Sequence, residues 1–207
     1  MRLTVTSHVT LDGVVQSNGK PEPEVDDGFK QGGWQVPYLD DEFAALMSRW
    51  IALADAFLFG RATYELFAGH WPKVTDPEDA VAARLNGQPK FVATSTADNL
   101  NWQPVVPLGG DIRAEVLHLK AQRGGELQVH GSATLVRTLM AHDLVDEYRL
   151  CIHPVVLGHG RRLFEEGTTP TAFCLSQTMT TSRGVVAHVY QPNGAPRYGA
   201  VGIGESI

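Results

Sequence analysis

The sequence predicts an α/β fold: a mostly parallel central sheet flanked by helices and closed by a C-terminal antiparallel hairpin. Three observations carry this. Short β-branched or apolar runs alternate with stretches of helical period, which is the pattern of strand–helix–strand units. Several of those runs are apolar on nearly every residue, as strands buried on both faces are. The last two runs follow each other around Ser182-Arg183-Gly184 with no helix between them, which makes a hairpin.

Taken in order, residues 2–11 alternate and are β-branched, and predict the first strand. Residues 16–37 carry Gly, Pro and acidic residues and read as a long loop, a length usually reserved for function or disorder. From Asp40 the period changes. Phe43, Leu46, Met47, Trp50 and Ile51 recur at helical spacing behind Asp40 as N-cap. Ala56–Phe59 is a buried strand ending at Gly60, and a helix follows from Arg61 to about Ala68. Phe91–Ala93 is a strand ending in Thr94-Ser95-Thr96. Asp111–Lys120 is a helix stopped by Gly124-Gly125. Leu127–Val129 is a strand whose exit, Gly131-Ser132, opens the next helix; Tyr148–Val156 is a longer strand; Phe173–Thr180 and Val185–Tyr190 form the hairpin. The expected domain is 1–191, with 192–207 as a weakly patterned tail.

Composition narrows the function. The 207 residues, 43% of them hydrophobic, suffice for one core. A net charge of −6 and the lack of any basic stripe exclude nucleic acid and anionic membranes as expected partners. No apolar run approaches the roughly 20 residues that span a bilayer. Cys151 and Cys174 sit in apolar stretches and read as reduced thiols, so a cytoplasmic location is expected. No His, Cys or acidic cluster has metal-ligand spacing, so no metal is expected.

Three predicted strand-to-helix junctions carry the chemistry: Gly60-Arg61-Ala62-Thr63, Thr94-Ser95-Thr96 and Gly131-Ser132-Ala133-Thr134. In a parallel sheet they share the carboxyl edge and can meet on one ligand. Helix N-termini offer free N–H groups and positive potential, glycine admits close approach, and hydroxyls donate further bonds. Two junctions can hold a pyrophosphate, with Arg61 and Ser95 on an additional ribose phosphate. Gly followed by Ser or Thr is also ordinary capping chemistry. Neither G-x-G-x-x-G nor G-x-x-x-x-G-K occurs.

The run Ser7-His8-Val9-Thr10-Leu11-Asp12-Gly13 resembles the opening strand of the dihydrofolate reductase-like superfamily, in the branch related to the reductase domain of bacterial riboflavin biosynthesis. Leu58–Glu65, Val129–Leu135, Leu144–Glu147 and His153–Phe164 resemble its later landmarks, in order and spacing. The resemblance implies a dihydrofolate reductase-like fold and an NADPH-dependent reductase, often a homodimer, acting on a small heterocyclic or imine-like substrate of the pterin or riboflavin-precursor kind. By the same resemblance, Gly60, Arg61, Thr63, Gly131, Ser132 and Thr134, with Ala133 between them, would take phosphates. Ser95, flanked by Thr94 and Thr96, would sit beside the adenosine 2′-phosphate, and Asp12 would lie near nicotinamide and substrate. Where riboflavin reductases usually carry a glutamate before the third junction, this chain has His130. A nucleotide- or pterin-binding protein without turnover is the alternative, since fold does not guarantee activity.

Single residues keep two readings. Asp12 is a turn residue bonding its own backbone, or it orients substrate and relays a proton. His130 and His153 are core histidines or substrate contacts. Gly158-His159-Gly160 is a flexible turn, or Gly158 and Gly160 line the nicotinamide pocket. Trp34 covers a flat ring, or packs from an exposed loop at a dimer seam.

Overall fold

In the computed structural model, which describes residues 1–19 and 28–200, one eight-stranded sheet runs β4-β3-β2-β5-β1-β6-β8-β7. Its strands are β1 (Arg2–Thr10), β2 (Ala54–Gly60), β3 (Lys90–Ala93), β4 (Val105–Leu108), β5 (Glu126–His130), β6 (Glu147–His153), β7 (Phe173–Thr180) and β8 (Val186–Pro192). Every pair from β4 to β6 is parallel, while β8 is antiparallel to β6 and β7 to β8. This is the mostly parallel sheet with flanking helices and a closing antiparallel hairpin that the sequence predicts. Among the described residues, no helix is long and apolar enough to cross a membrane.

Among the described residues five α-helices connect the strands: α1 (Asp41–Ile51), α2 (Arg61–Ala68), α3 (Ala80–Gly87), α4 (Ile112–Ala121) and α5 (Ala133–Ala141). One sheet face is apolar. Leu3, Val5, Leu58, Leu127 and Val129 meet Val116 and Leu119 of α4 and Val136 and Leu139 of α5. The opposite face is divided. Toward β2 and β3, Phe57, Phe59 and Val92 pack with Tyr64 of α2, Leu85 of α3 and Trp102. Beneath α1, Phe43, Leu46 and Trp50 meet Cys151, Ala187 and Val189.

Between these two apolar regions the second face is polar and still buried. Glu126, Gln128 and His130 of β5, Thr4 and Thr6 of β1, and Glu147, Arg149 and His153 of β6 are all buried. The in-register pairs Thr4↔Gln128, Thr6↔His130, Thr4↔Glu147 and Thr6↔Arg149 place these residues side by side. Buried charges must be paired to persist. The Arg149 guanidinium donates to both Glu126 oxygens, at 2.6 and 3.0 Å, and to Glu147 at 2.8 Å. Arg2 closes the other side of Glu147 at 2.6 Å, and the Trp50 ring lies 5.3 Å from the Arg149 guanidinium carbon.

Several expectations need correction. The Thr94-Ser95-Thr96 segment follows β3 but opens no helix; a loop leads from it to β4. The following Ala97-Asp98-Asn99-Leu100-Asn101 has a single large apolar residue and so no face for a helix to bury. That loop is anchored instead by Trp102, whose backbone N–H donates to the Tyr64 hydroxyl and whose ring N–H donates to Asn86. The strand expected over Tyr148–Val156 ends at His153, because Pro154 has no N–H for the ladder. Trp34 is not exposed: it is buried, with its ring N–H donating to the Gln16 carbonyl at 2.7 Å. Helix α3 and strand β4 add to the elements read from sequence. Residues 20–27 of the long loop and 201–207 of the tail lie outside the described residues.

Removing one partner of a buried ion network strands the other charges. Arg149→Met is expected to cost about 3–5 kcal/mol, read as a lower urea midpoint by circular dichroism. A loss below about 1 kcal/mol would show that the network contributes no more than a surface pair.

Candidate active-site cleft

The carboxyl edge of the sheet gathers the predicted junctions. Gly60 ends β2 and Ala93 ends β3, as register partners. The first and third junctions touch: a Cβ on Gly60 would run into the Ser132 hydroxyl, and one on Gly131 would lie 3.5 Å from the Thr63 side chain. The second joins the first through Arg61, whose Nη1 donates to the Thr96 carbonyl at 3.3 Å and whose Nε pairs with Glu65 at 2.5 Å. Thr94 and Thr96 form a small hydroxyl turn, the Thr94 hydroxyl donating to the Thr96 carbonyl at 2.9 Å. Ser95 and Thr96 are exposed at this edge.

The helix starts differ in a telling way. Aspartate caps three of them: Asp40 accepts from the Phe43 N–H, Asp79 from Ala82 and Asp111 from Arg113. The starts of α2 and α5 have Gly60 and Ser132 at the cap position and no side-chain cap bond. Ser132 is the better capping residue by type, yet its backbone is left-handed at φ 51°, directly after Gly131 at φ 62°. Its hydroxyl points at Gly60 instead. Thus the two N-termini that abut are the two left uncapped, with Ala133 and Thr134 in the first turn of α5.

A second group of residues lies beyond β1. Asp12 follows β1, and its carboxylate accepts from the Thr10 hydroxyl at 2.6 Å, the Gly158 N–H at 2.8 Å and the Leu157 N–H at 3.2 Å. The Thr10 hydroxyl and then these amides hold its carboxyl down to about 2. At neutral pH Asp12 is therefore an ionised acceptor that ties the end of β1 to the loop after β6. Arg162 Nε reinforces the tie by donating to the Asp12 carbonyl at 2.8 Å. Gly160 has φ 115°, and a Cβ there would come within 2.8 Å of Val14. Gln16, Gly28, Phe29, His159, Gly160, Arg161 and Glu165 line an open cleft of about 370 Å³ beside this loop.

His130 ends β5 one residue before Gly131. It is buried between Phe57 and Phe67, with ring centroids at 5.8 and 6.4 Å. Burial, with the Arg149 charge adding to it, lowers its imidazole to about 4, so it is neutral at physiological pH. The sequence alone gives His8 no site role and leaves His153 as a core histidine or a substrate contact. Both lie on the same polar face, their rings 5.8 Å apart. Desolvation lowers His8 to about 3 and His153 to about 4. Trp34, Tyr38 and Phe43 surround the His153 ring, whose two nitrogens have no hydrogen-bond partner among the described residues. The signal was present in the period-two spacing of Thr4, Thr6 and His8 and of Glu147, Arg149 and His153, which places each set on one face of its strand.

The chain is similar to proteins that share this architecture. Bacillus subtilis (strain 168) YyaP is 33% identical over 196 residues, covering 93% of this chain and 96% of that protein. Among solved structures, a putative riboflavin biosynthesis protein from Shewanella sp. PV-4 superposes with TM-score 0.64 at 20% identity, over 93% of this chain and 99% of that one. Dihydrofolate reductase from Enterococcus faecalis, solved with NADP(H), superposes with TM-score 0.60 at 13% identity, over 93% and 96%. The model of the RibD C-terminal domain matches residues 2–187, and the chain belongs to that family.

Proposed function

We propose that this chain is an NADPH-dependent reductase whose substrate, a small heterocyclic or imine-like compound, sits above the ends of β1, β5 and β6. The observation that carries the reading is the pair of abutting, uncapped helix N-termini. Free N–H groups and two positive dipole ends converge where an anion gains most from both. A Cβ at Gly60 would fill this cradle, so the residues present fit a pyrophosphate. Gly60, Thr63, Gly131, Ser132, Ala133 and Thr134 would hold it. Arg61, with Thr94, Ser95 and Thr96, would hold the 2′-phosphate. Bound nicotinamide would supply the hydride.

The remaining work falls to the chain's own groups. Asp12 fixes the Leu157–Gly160 loop, Gly160 gives that loop its tight path past Val14 and Phe29, and Gly158 supplies a left-handed turn at φ 80°. In this reading Asp12 acts by placing the loop beside the substrate. His130, neutral and held at the sheet edge, contacts the substrate. The free thiols Cys151 and Cys174 fit a reducing cytoplasm. We also propose a homodimer. The edge strand β7 is exposed along most of its length and has neither proline nor charge to blunt it, and Leu175 is 52% exposed. Light scattering is expected to give twice the chain mass of 22.5 kDa, and the monomer mass overturns the dimer.

Two measurements test the site. Loss of a charge-assisted hydrogen bond costs roughly 1.5–3 kcal/mol, about ten- to a hundredfold in affinity. Arg61→Ala is therefore expected to weaken NADPH by that factor in a fluorescence titration and NADH little; equal weakening removes Arg61 from the 2′-phosphate. If NADPH binds the parent but no substrate in a pterin and flavin-precursor screen is reduced, the protein is a binding protein of the same fold.

Asp12→Asn is expected to destabilise the protein by about 1–3 kcal/mol at pH 7 and to speed amide exchange at Leu157 and Gly158. Because the carboxyl is held below its ordinary value, its contribution is full above about pH 4 and fades as pH falls toward 2. The gap between parent and variant is expected to close over that window. Unchanged exchange at the two amides would show that Asp12 does not hold the loop.

A further inference from the structure

The polar file beneath α1 ends on His130, and its hydrogen bonds have only one consistent direction. Gln128 Nε2 donates to the Trp50 carbonyl at 2.6 Å and to a Glu126 carboxylate oxygen at 2.7 Å. The Trp50 carbonyl can only accept, and the Glu126 carboxyl group also takes the Arg149 guanidinium. The Gln128 amide therefore cannot be turned round, and its Oε1 is the atom facing His130 Nε2 at 3.0 Å. A carbonyl oxygen only accepts, so His130 Nε2 must carry a proton. A neutral imidazole has one N–H, which leaves Nδ1 as a bare lone pair. Among the described residues the hydrogen bond of the ring is the one that Gln128 makes at Nε2.

We propose that Gln128 is a positioning residue: it locks His130 in the Nε2–H tautomer and so keeps Nδ1 an acceptor at the carboxyl end of β5, beside the Gly131-Ser132 junction. The lock is built from a file whose charges cancel, Arg2 and Arg149 against Glu126 and Glu147, and whose last member before His130 is an amide. A carboxylate in its place would give His130 a counter-ion and favour the imidazolium. The amide fixes the ring without charging it. An acceptor at Nδ1 selects substrates that offer an N–H or O–H donor along one edge, as lactam-containing heterocycles do. The tautomer itself is independent of the reductase reading; only its use in substrate selection rests on that reading.

The test reads the tautomer directly. In long-range proton–nitrogen spectra of ¹⁵N-histidine-labelled protein at pH 7, the His130 ring, assigned by its absence in His130→Gln, is expected to show a protonated Nε2 and an unprotonated Nδ1. A protonated Nδ1, or an imidazolium, in the parent protein overturns the proposal without need of any variant. Gln128→Met keeps the volume and removes the acceptor. It is expected to let both tautomers populate, so that the two nitrogen resonances move toward each other, while NADPH affinity stays within about threefold, well under the tenfold of 1.4 kcal/mol. A pure Nε2–H tautomer in Gln128→Met shows that Gln128 does not set it. Failure of the parent to bind NADPH would remove the reductase reading and leave the tautomer result standing.

Discussion

Arg149 reaches across the sheet from β6 to Glu126 on β5, and also takes Glu147 on its own strand. These charges are buried, so the interaction has no solvent to fall back on. Its main consequence is register. A slip of one residue in β5 or β6 would turn Glu126 or Arg149 into the apolar face formed by Leu3, Val5, Leu127 and Val129. The penalty for an unpaired buried charge is several kcal/mol, larger than any gain from repacking a neighbouring aliphatic residue. With that register set, β1 lies between its two neighbours with Thr6 beside both His130 and Arg149. The ends of β1, β5 and β6 then stand together at the carboxyl edge.

The same network determines what can cover it. Helix α1 contributes the Trp50 ring over the guanidinium and the Trp50 carbonyl to Gln128. Apolar packing by Phe43 and Leu46 supplies the area, and the polar contacts choose the position. Asp40 fixes the start of this helix twice over, capping it at Phe43 and accepting from the Ser182 hydroxyl and the Arg183 N–H of the closing hairpin. A helix seated by bonds at both its ends has little freedom to slide, and the polar file beneath it keeps one arrangement.

At the opposite half of the edge the design inverts. Where α1, α3 and α4 satisfy their first N–H groups with aspartate, α2 and α5 leave theirs open and turn them toward each other. Two uncapped starts in contact, one of them holding a serine in a left-handed conformation, are costly features for stability alone. The anionic ligand proposed above would account for both.

Much of this was readable from the residues. Period and β-branching located β1, β2, β5, the hairpin and helices α1, α2, α4 and α5, because each buries a face that its own local pattern specifies. The junctions at Gly60 and Gly131 could be read because glycine at a strand end announces close backbone approach, whereas Thr94-Ser95-Thr96 leads into a loop and opens no helix. What stayed hidden depends on partners distant in sequence. Glu126 and Arg149 look like surface residues until β5 and β6, flanking β1, bring them under α1, and Gln128 acquires a direction only when Trp50 and Glu126 both face its amide. Likewise Ser132 reads as a cap by residue type, and only the neighbouring Gly60, seventy-two positions earlier, shows where its hydroxyl goes. The sequence by itself determined the strand and helix pattern apart from α3 and β4, since that pattern follows from local hydrophobic period. The tertiary structure alone decided which helix ends are open and which nitrogen of His130 carries the proton, since both are set by contacts that the fold must first assemble.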